Sequence, residues 1–165
     1  EGNYAYLCAM GKGLVILDVT NKSNIQFVSQ FKPNINYPPV ANPDPKKINA
    51  RGLEVKNSIV YLCYDAGGLR VINCTNKNSP VETGRFCNPA MYLPFDRPKA
   101  YNNIVLDDTL IYAAVDYAGM EVINISDTSN ISLLGWWNPY NAPSANWFGC
   151  NVHANELKYE KNCKI

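Results

Sequence analysis

Three stretches of the chain share one pattern, and this repetition limits the folds that are open to it. Each has a tyrosine, a glycine seven positions later and an Asp or Asn five positions after that; the stretches are residues 6–21, 61–76 and 112–127. The glycines lie 55 residues apart (Gly13 to Gly68) and then 51 residues apart (Gly68 to Gly119). A repeat of roughly this length forms a unit that buries its core only against neighbouring units. The chain is therefore predicted to be a repeat scaffold.

Short β-rich runs separated by turn residues fill each unit. They are residues 52–55, 59–64, 69–74 and 80–86 in the second unit, and 101–106, 110–115, 120–125 and 132–137 in the third. No helical apolar period appears, so the fold class is predicted to be all-β. The first unit begins in a turn and lacks its opening strand. Four-stranded antiparallel units in series are typical of β-propeller blades, here about three blades plus part of a fourth in an incomplete ring.

The first unit carries the most specific motif. Residues 2–8 read Gly-Asn-Tyr-Ala-Tyr-Leu-Cys, and residues 13–21 read Gly-Leu-Val-Ile-Leu-Asp-Val-Thr-Asn. Together they resemble the LVIVD-repeat family, whose blades carry a "GNYAYVA…GLxIVDVSNP" pattern. Units two and three resemble it more loosely, with Asn73 and Asn124 in place of the aspartate. The resemblance implies a β-propeller of the kind found in surface or secreted bacterial and archaeal proteins, and it assigns no ligand.

One propeller-like domain is predicted over residues 1–165. Its units are expected at about residues 1–33, 49–89 and 100–139, with a partial unit at 147–165. Propellers usually close with about four to eight blades. Three interpretations remain open: the chain is part of a longer or processed polypeptide, its incomplete ends are completed by neighbouring chains, or one end pairs with the other.

Charge and hydropathy exclude several classes of partner. Fifteen basic and 14 acidic residues give a net charge of +1, which is not the basic footprint of a nucleic-acid-binding protein. The sequence contains no apolar run near the roughly 18 residues of a membrane span. We therefore expect neither a nucleic-acid partner nor a membrane span.

Six cysteines favour an oxidising compartment and hence an extracellular or cell-surface location. The disulfide candidates are Cys8, Cys63, Cys74, Cys87, Cys150 and Cys163. The alternative is buried thiols that act as small apolar side chains. Cys74 supports that alternative because it takes the repeat position of Val19 and Ile125.

Four Asn-x-Ser/Thr sequons are glycosylation candidates, at Asn21, Asn73, Asn124 and Asn130. Asn21 and Asn130 lie in predicted turns and are the better acceptors. Asn73 and Asn124 take the position of Asp18, where the side chain is expected to bond nearby backbone.

Catalytic and metal sites are not expected, and no cofactor is predicted. His153 is the only histidine, and no pair of cysteines has the spacing of a zinc site. Asp65 and Asp116 precede equivalent glycines and would lie at the mouth of a propeller. A ring of carboxylates there could bind a cation or a sugar, but aspartate is also an ordinary turn former.

The linkers between units are long, rich in proline and aromatic. Partner-binding candidates are Tyr37, Tyr92, Phe95, Tyr140 and Trp147, because long ordered loops often carry binding sites. The alternative is that these side chains pack the linkers onto the blades. At the end of the third unit, Trp137 is predicted to face the core between blades and Trp136 to face outward.

These observations predict a non-enzymatic extracellular structural protein that assembles through its incomplete ends. Its expected partner is a neighbouring copy or the remainder of a longer propeller. The alternative is a cell-surface module that presents a loop face to a glycan or protein partner.

Overall fold

The computed structural model describes residues 1–38, 48–91, 100–116 and 118–137, and these form three antiparallel sheets. Sheet 1 contains β1 (Tyr4–Cys8), β2 (Leu14–Asp18) and β3 (Gln26–Phe31). Sheet 2 contains β4 (Leu53–Lys56), β5 (Ile59–Cys63), β6 (Leu69–Asn73) and β7 (Val81–Phe86). Sheet 3 contains β8 (Ala100–Asp107), β9 (Leu110–Asp116), β10 (Gly119–Asn124) and β11 (Ser132–Trp137). The predicted all-β fold is confirmed.

Each sheet is a meander in which consecutive strands pair. Sheet 1 has three strands, which agrees with the prediction that the first unit lacks its opening strand. A short 3₁₀ turn, Pro89–Met91, follows sheet 2. None of the helical structure in the described ranges is long and apolar enough to cross a membrane. The predicted unit at 147–165 lies outside those ranges, so the division of the chain into units stays a prediction.

The repeat glycines are required by backbone geometry. Gly13, Gly68 and Gly119 have φ values of 82°, 78° and 84°, which side chains with a Cβ rarely adopt. A Cβ at Gly13 would also collide with the backbone carbonyl of Phe31 on β3, and a Cβ at Gly68 would collide with that of Phe86 on β7. Each of these two glycines therefore lets the chain turn into the strand that follows it, β2 or β6, while β3 or β7 lies close beside the turn.

The sheets stack face to face, and strand alternation gives each sheet two apolar faces. Sheet 2 is covered on both: Val60, Leu62 and Ile72 pack towards sheet 1, whereas Tyr61 and Val71 pack towards sheet 3. Consequently β5 and β6 are almost entirely buried. This two-sided burial explains why their sequences are nearly continuous apolar runs.

Backbone hydrogen bonds join neighbouring sheets at equivalent points. Ala50 N donates to Met10 O at 3.0 Å between sheets 1 and 2. Tyr101 N donates to Asp65 O at 3.1 Å between sheets 2 and 3. The same junction is thus used twice, which indicates that each unit meets the next in a similar way.

Candidate functional site

The outer face of sheet 1 is apolar and exposed. Cross-strand pairing places Leu7 opposite Val15 and Phe27 opposite Leu17, so these side chains share one face. Leu7 is 46%, Ile25 53% and Phe27 65% exposed. We call this surface, formed by Ala5, Leu7, Leu17, Ile25 and Phe27, the open face of sheet 1.

The same repeat positions are buried in the other two sheets. Leu7 corresponds to Leu62 and Ala113, and both of these are fully buried. Leu17 corresponds to Ile72 and Ile123, which are also fully buried. Each of the latter residues faces the preceding sheet in the stack. The open face of sheet 1 is therefore a surface of the type that packs against a preceding unit.

Sheet 3 has the opposite surface exposed. Val122 and Trp137 take the positions of Ile16 and Phe31 in sheet 1, which pack against the following sheet. Trp137 is 63% exposed, whereas its counterpart Phe86 is 9% exposed. We call the surface formed by Met120, Val122 and Trp137 the open face of sheet 3.

The expectation for the two tryptophans was wrong. Trp136 packs against the core between sheets 2 and 3, and its indole N–H donates to Ala118 O at 2.7 Å. Trp137 projects from the open face of sheet 3. A bulge between Val122 and Ile123 leaves Leu134 as an extra residue in β11. It shifts the alternation by one residue, so that Leu133 and Trp136 both face the core.

A polar cluster surrounds Asp65, in the turn between β5 and β6. Arg51 Nη2 lies 3.3 Å from Asp65 Oδ2, and Asn49 Nδ2 donates to the same oxygen at 3.1 Å. Burial raises the pKa of the Asp65 carboxyl; Asn49 and Arg51 oppose that shift, and nearby Asp116 adds to it. Asp65 and Asp116 are thus close enough to interact.

This cluster behaves mainly as a turn anchor. Asp65 has a positive φ of 53°, a conformation that Asp tolerates better than most residues. Its charge is balanced by Arg51, and the first unit has Met10 at the equivalent position with a φ of 49°. Within the described ranges no three His, Cys, Asp or Glu side chains group together as a metal site.

The first sheet is similar to a known repeat. The family model of the LVIVD repeat matches residues 1–32. Residues 1–32 are thus similar to an LVIVD repeat. The match spans sheet 1 and confirms the resemblance predicted from residues 2–8 and 13–21. No curated protein matches the chain.

The three units differ sharply in the residue that lies two positions after the repeat glycine of each unit. The residues there are Val15, Arg70 and Glu121, and the latter two are fully buried charges. Arg70 Nη2 donates at 2.9 Å to the carbonyls of both Asn34 and Tyr37. Arg70 therefore fastens the linker that leaves the LVIVD repeat onto sheet 2.

Tyr37, a predicted partner-binding residue, belongs to this fastening. The Arg70 guanidinium lies 5.0 Å and that of Arg85 4.8 Å from the centre of the Tyr37 ring. Such cation–π contacts hold the ring against the sheet. The structure therefore favours the packing interpretation for Tyr37.

Glu121 performs the corresponding task one unit later. Tyr101 Oη donates to Glu121 Oε2 at 2.6 Å, and Asn88 Nδ2 donates to Glu121 Oε1 at 2.8 Å. Burial raises the pKa of Glu121, while these two hydrogen bonds oppose the shift. Asn88 begins the linker after sheet 2, so Glu121 fastens that linker. Sequence reasoning missed both charges, although an isolated charge in an apolar strand was a usable signal.

The described cysteines fit the buried-thiol interpretation. Cys8, Cys63, Cys74 and Cys87 are thiols, so no disulfide joins any two of these four. Burial raises the pKa of Cys8 and Cys74 to about 11, and raises that of Cys63 well above its usual range. The thiols of Cys8, Cys63 and Cys74 therefore remain protonated and weakly nucleophilic at neutral pH.

The sequon asparagines differ in exposure. Asn21 and Asn130 are exposed, whereas Asn73 and Asn124 are partly buried. Asn73 Oδ1 accepts from Thr75 N and Asn124 Oδ1 from Ser126 N, both at 2.9 Å, as the position of Asp18 predicted. Glycosylation of any of them stays a prediction.

The remaining candidates lie outside the described residues and stay predictions. They are Tyr92, Phe95, Tyr140, Trp147, Cys150, Cys163 and His153.

Proposed function

We propose that this chain is a non-enzymatic structural protein that self-associates through the open faces of sheets 1 and 3. The observation that carries the proposal is the exposure of Leu7, Ile25, Phe27 and Trp137. Their equivalents Ala113, Ile131 and Leu133 in sheet 3 and Phe86 in sheet 2 pack against a neighbouring sheet. Complete burial of a Leu or Phe side chain is worth about 1.5–3 kcal/mol. Exposed apolar patches of this kind mark interaction surfaces.

The edge of sheet 1 adds support. β1 lies at an edge of its sheet and pairs only with β2 among the described strands. In sheet 2 the counterpart of β1 is β5, which pairs with β6 on one side and with β4 on the other. An edge strand with open backbone groups favours the addition of a strand from another chain. The apolar faces and an edge strand with one partner among the described strands together favour the addition of a further unit.

We further propose that the protein acts outside the cell or at its surface. The six cysteines of the sequence and the exposed sequons at Asn21 and Asn130 support this location. The thiol state of the four described cysteines does not add to that support.

Sedimentation velocity of the purified chain across a range of concentrations tests the association. We expect a reversible species larger than the 18.4 kDa monomer. Phe27→Asp should abolish it, because the charge would lie within the apolar contact. Val81→Asp is the control, since Val81 is 56% exposed but lies on neither open face. A wild-type chain that stays monomeric at every concentration would refute the proposal.

A second candidate function is a surface module that binds an anionic glycan. A groove of about 730 Å³ runs between the first linker and β7, lined by Phe31, Lys32, Asn34, Glu82, Thr83 and Arg85 among others. Arg70 neutralises the nearby Glu82 through its Nη1 at 3.1 Å from Oε2. Lys32 and Arg85 therefore leave the groove with positive charge, beside amide and hydroxyl groups suited to a sugar.

Titration with a galacturonate oligosaccharide, monitored by calorimetry, tests this second function. We expect binding that Arg85→Gln weakens, and no binding of the neutral galactose oligosaccharide. Equal heats from the charged and neutral sugars, or an unchanged affinity in Arg85→Gln, would count against it.

A further inference from the structure

One contact recurs where neighbouring sheets meet at their outer strands. Ser29 on β3 donates through Oγ to the carbonyl of Lys77, in the turn that precedes β7, at 2.5 Å. One unit later, Gly84 on β7 lies against the carbonyl of Thr128. In both cases the turn before the last strand of one sheet docks onto the last strand of the preceding sheet.

Gly84 is a glycine because of this docking. A Cβ at that position would overlap the Thr128 carbonyl oxygen, and neither partner could move away without shifting backbone. The recurring arrangement is therefore a socket on one sheet and a turn on the next. A small residue in the socket is needed wherever the turn lies that close.

Gly135 is the third member of this series, and no turn of the described ranges occupies its socket. The nearest described atoms to a Cβ built there are Cβ and Cγ2 of Val122, both at 4.0 Å. Glycine within a strand costs about 0.5–1 kcal/mol relative to alanine. No described neighbour of Gly135 explains that cost, whereas a docked turn would.

The matching turn is present and exposed at the other end of the stack. In residues 21–24, Ser23 N donates to Asn21 Oδ1 at 3.1 Å and Asn24 N to Asn21 O at 2.9 Å. The two docked turns contain the same pair of bonds, centred on Asn76 and Asp127. The turn at 21–24 therefore has the shape that the socket at Gly135 accepts.

We infer that the turn at residues 21–24 of a second copy docks into the socket at Gly135. The carbonyl of Lys22 then lies against Gly135, as that of Thr128 lies against Gly84. The same placement brings the open face of sheet 1 of that copy onto Trp137 and Val122. This inference rests on the proposed self-association and specifies its contact.

We infer a second copy as the occupant because one chain carries both halves of the contact; occupation by the unit predicted at 147–165, which lies outside the described residues, is the alternative that the melting measurement tests. Sheet 1 provides the turn and the face that looks to a preceding unit, and sheet 3 provides the socket and the face that looks to a following unit. Their union repeats the contacts already formed between sheets 1 and 2 and between sheets 2 and 3. An unrelated partner would have no reason to match this geometry.

Gly135→Ala in the 165-residue chain tests the inference by sedimentation velocity and thermal unfolding. The added Cβ would meet the docked carbonyl, so the dissociation constant should rise about tenfold or more. The melting temperature at low concentration should not fall, because the nearest described atoms are at ordinary contact distance. Gly11→Ala is the control, since its added Cβ has Asn49 Oδ1 at 3.7 Å and lies in the turn between β1 and β2.

The outcomes separate this inference from the proposed function. Loss of association in Phe27→Asp with unchanged affinity in Gly135→Ala would overturn the socket and leave the assembly in place. A monomeric wild-type chain would refute both. If Gly135→Ala lowered the melting temperature of a monomer, the occupant would be a segment of the same chain, and the second copy would be excluded. Weakened association in Gly135→Ala alone among the two glycine variants would support the inference.

Discussion

Arg70 shows how one residue can join a linker to a sheet. Its Nε donates to Gly67 O at 2.8 Å, and its other nitrogens bind Glu82 and the carbonyls of Asn34 and Tyr37. A buried cation is tolerated when its hydrogen-bonding capacity is met in this way. The residue thus contributes order to the linker as well as charge balance.

Replacement of Arg70 by methionine should destabilise the protein strongly. The substitution leaves Glu82 without its main partner and strands three backbone carbonyls, which is expected to cost about 3–5 kcal/mol. Urea unfolding measures this change. Arg85→Met is the matched comparison: Arg85 is half exposed and lies 3.8 Å from Glu82, so its loss should cost less than about 1 kcal/mol. Similar losses in both variants would contradict the fastening role of Arg70.

Glu121 should give the protein a specific pH dependence. Because burial raises its pKa in the folded state, the folded protein binds this proton more tightly than the unfolded chain does. Its contribution to stability is therefore complete below the unfolded pKa of about 4.3 and is lost as the pH rises through the higher folded pKa. We expect the wild type to lose stability relative to Glu121→Gln as the pH is raised from about 4 towards neutrality.

The difference between the two unfolding free energies, measured by urea titration at several pH values, checks this expectation. Other carboxyls with raised pKa values, such as Asp65 and Glu54, are common to both proteins and cancel in the difference. A difference that does not vary with pH would show that Glu121 has the same pKa in the folded and unfolded states, and would contradict the raised pKa.

Residue roles were the least predictable part of the site. Arg70 lies on a strand whose alternation was predicted, yet its role did not follow from that alternation, and the orientation predicted for Trp137 was wrong. Arg70 is buried because linker carbonyls reach it, and those contacts are 33 and 36 residues away in sequence. Trp137 is exposed because no described sheet covers it. Both facts depend on tertiary neighbours.

At the scale of strands, turn chemistry made the sequence informative. The predicted runs in units two and three end within one residue of the observed strands, because Asn, Asp and Gly mark the turns between them. Asx bonds such as Thr20 N to Asp18 Oδ1, at 2.8 Å, repeat at equivalent places. The bulges in β3, β7 and β11 were not predicted, since an extra residue leaves no distinct compositional signal.

Gly84→Ala should destabilise the folded chain where Gly135→Ala does not. At Gly84 the added Cβ overlaps the Thr128 carbonyl, and such overpacking costs about 1–3 kcal/mol. The gain from replacing a strand glycine, about 0.5–1 kcal/mol, offsets only part of that. Chemical denaturation of both variants at low protein concentration makes the comparison. Equal stabilities would show that the two sockets are alike in the monomer.

At the scale of the whole molecule, the open faces determine how association should respond to salt. Their exposed side chains are Leu, Ile, Phe and Trp, so the contact has little charge to screen. We expect the dissociation constant to change less than about threefold between 50 and 300 mM sodium chloride. Sedimentation equilibrium at the two salt concentrations measures it. A marked weakening at 300 mM would indicate ion pairs at the contact and count against apolar faces.

The arrangement of units was predictable because repetition is a global signal. The repeat glycines indicated three similar units, and the described residues form three antiparallel sheets. The sequence did not reveal which outer faces stay open, because the same residues are apolar whether a neighbour covers them or not.

The unlike residues Val15, Arg70 and Glu121 also bear on how the chain avoids misfolding. Repeats of similar sequence can exchange partners during folding, and such mispairing is a characteristic failure of repeat proteins. If sheet 3 docked where sheet 2 belongs, Glu121 would face the carbonyls of Asn34 and Tyr37 that Arg70 binds. A buried carboxylate against carbonyl oxygens is strongly unfavourable. The two charges therefore distinguish the packing faces of sheets 2 and 3. They disfavour an arrangement in which sheet 3 takes the place of sheet 2, although the units share one sequence pattern.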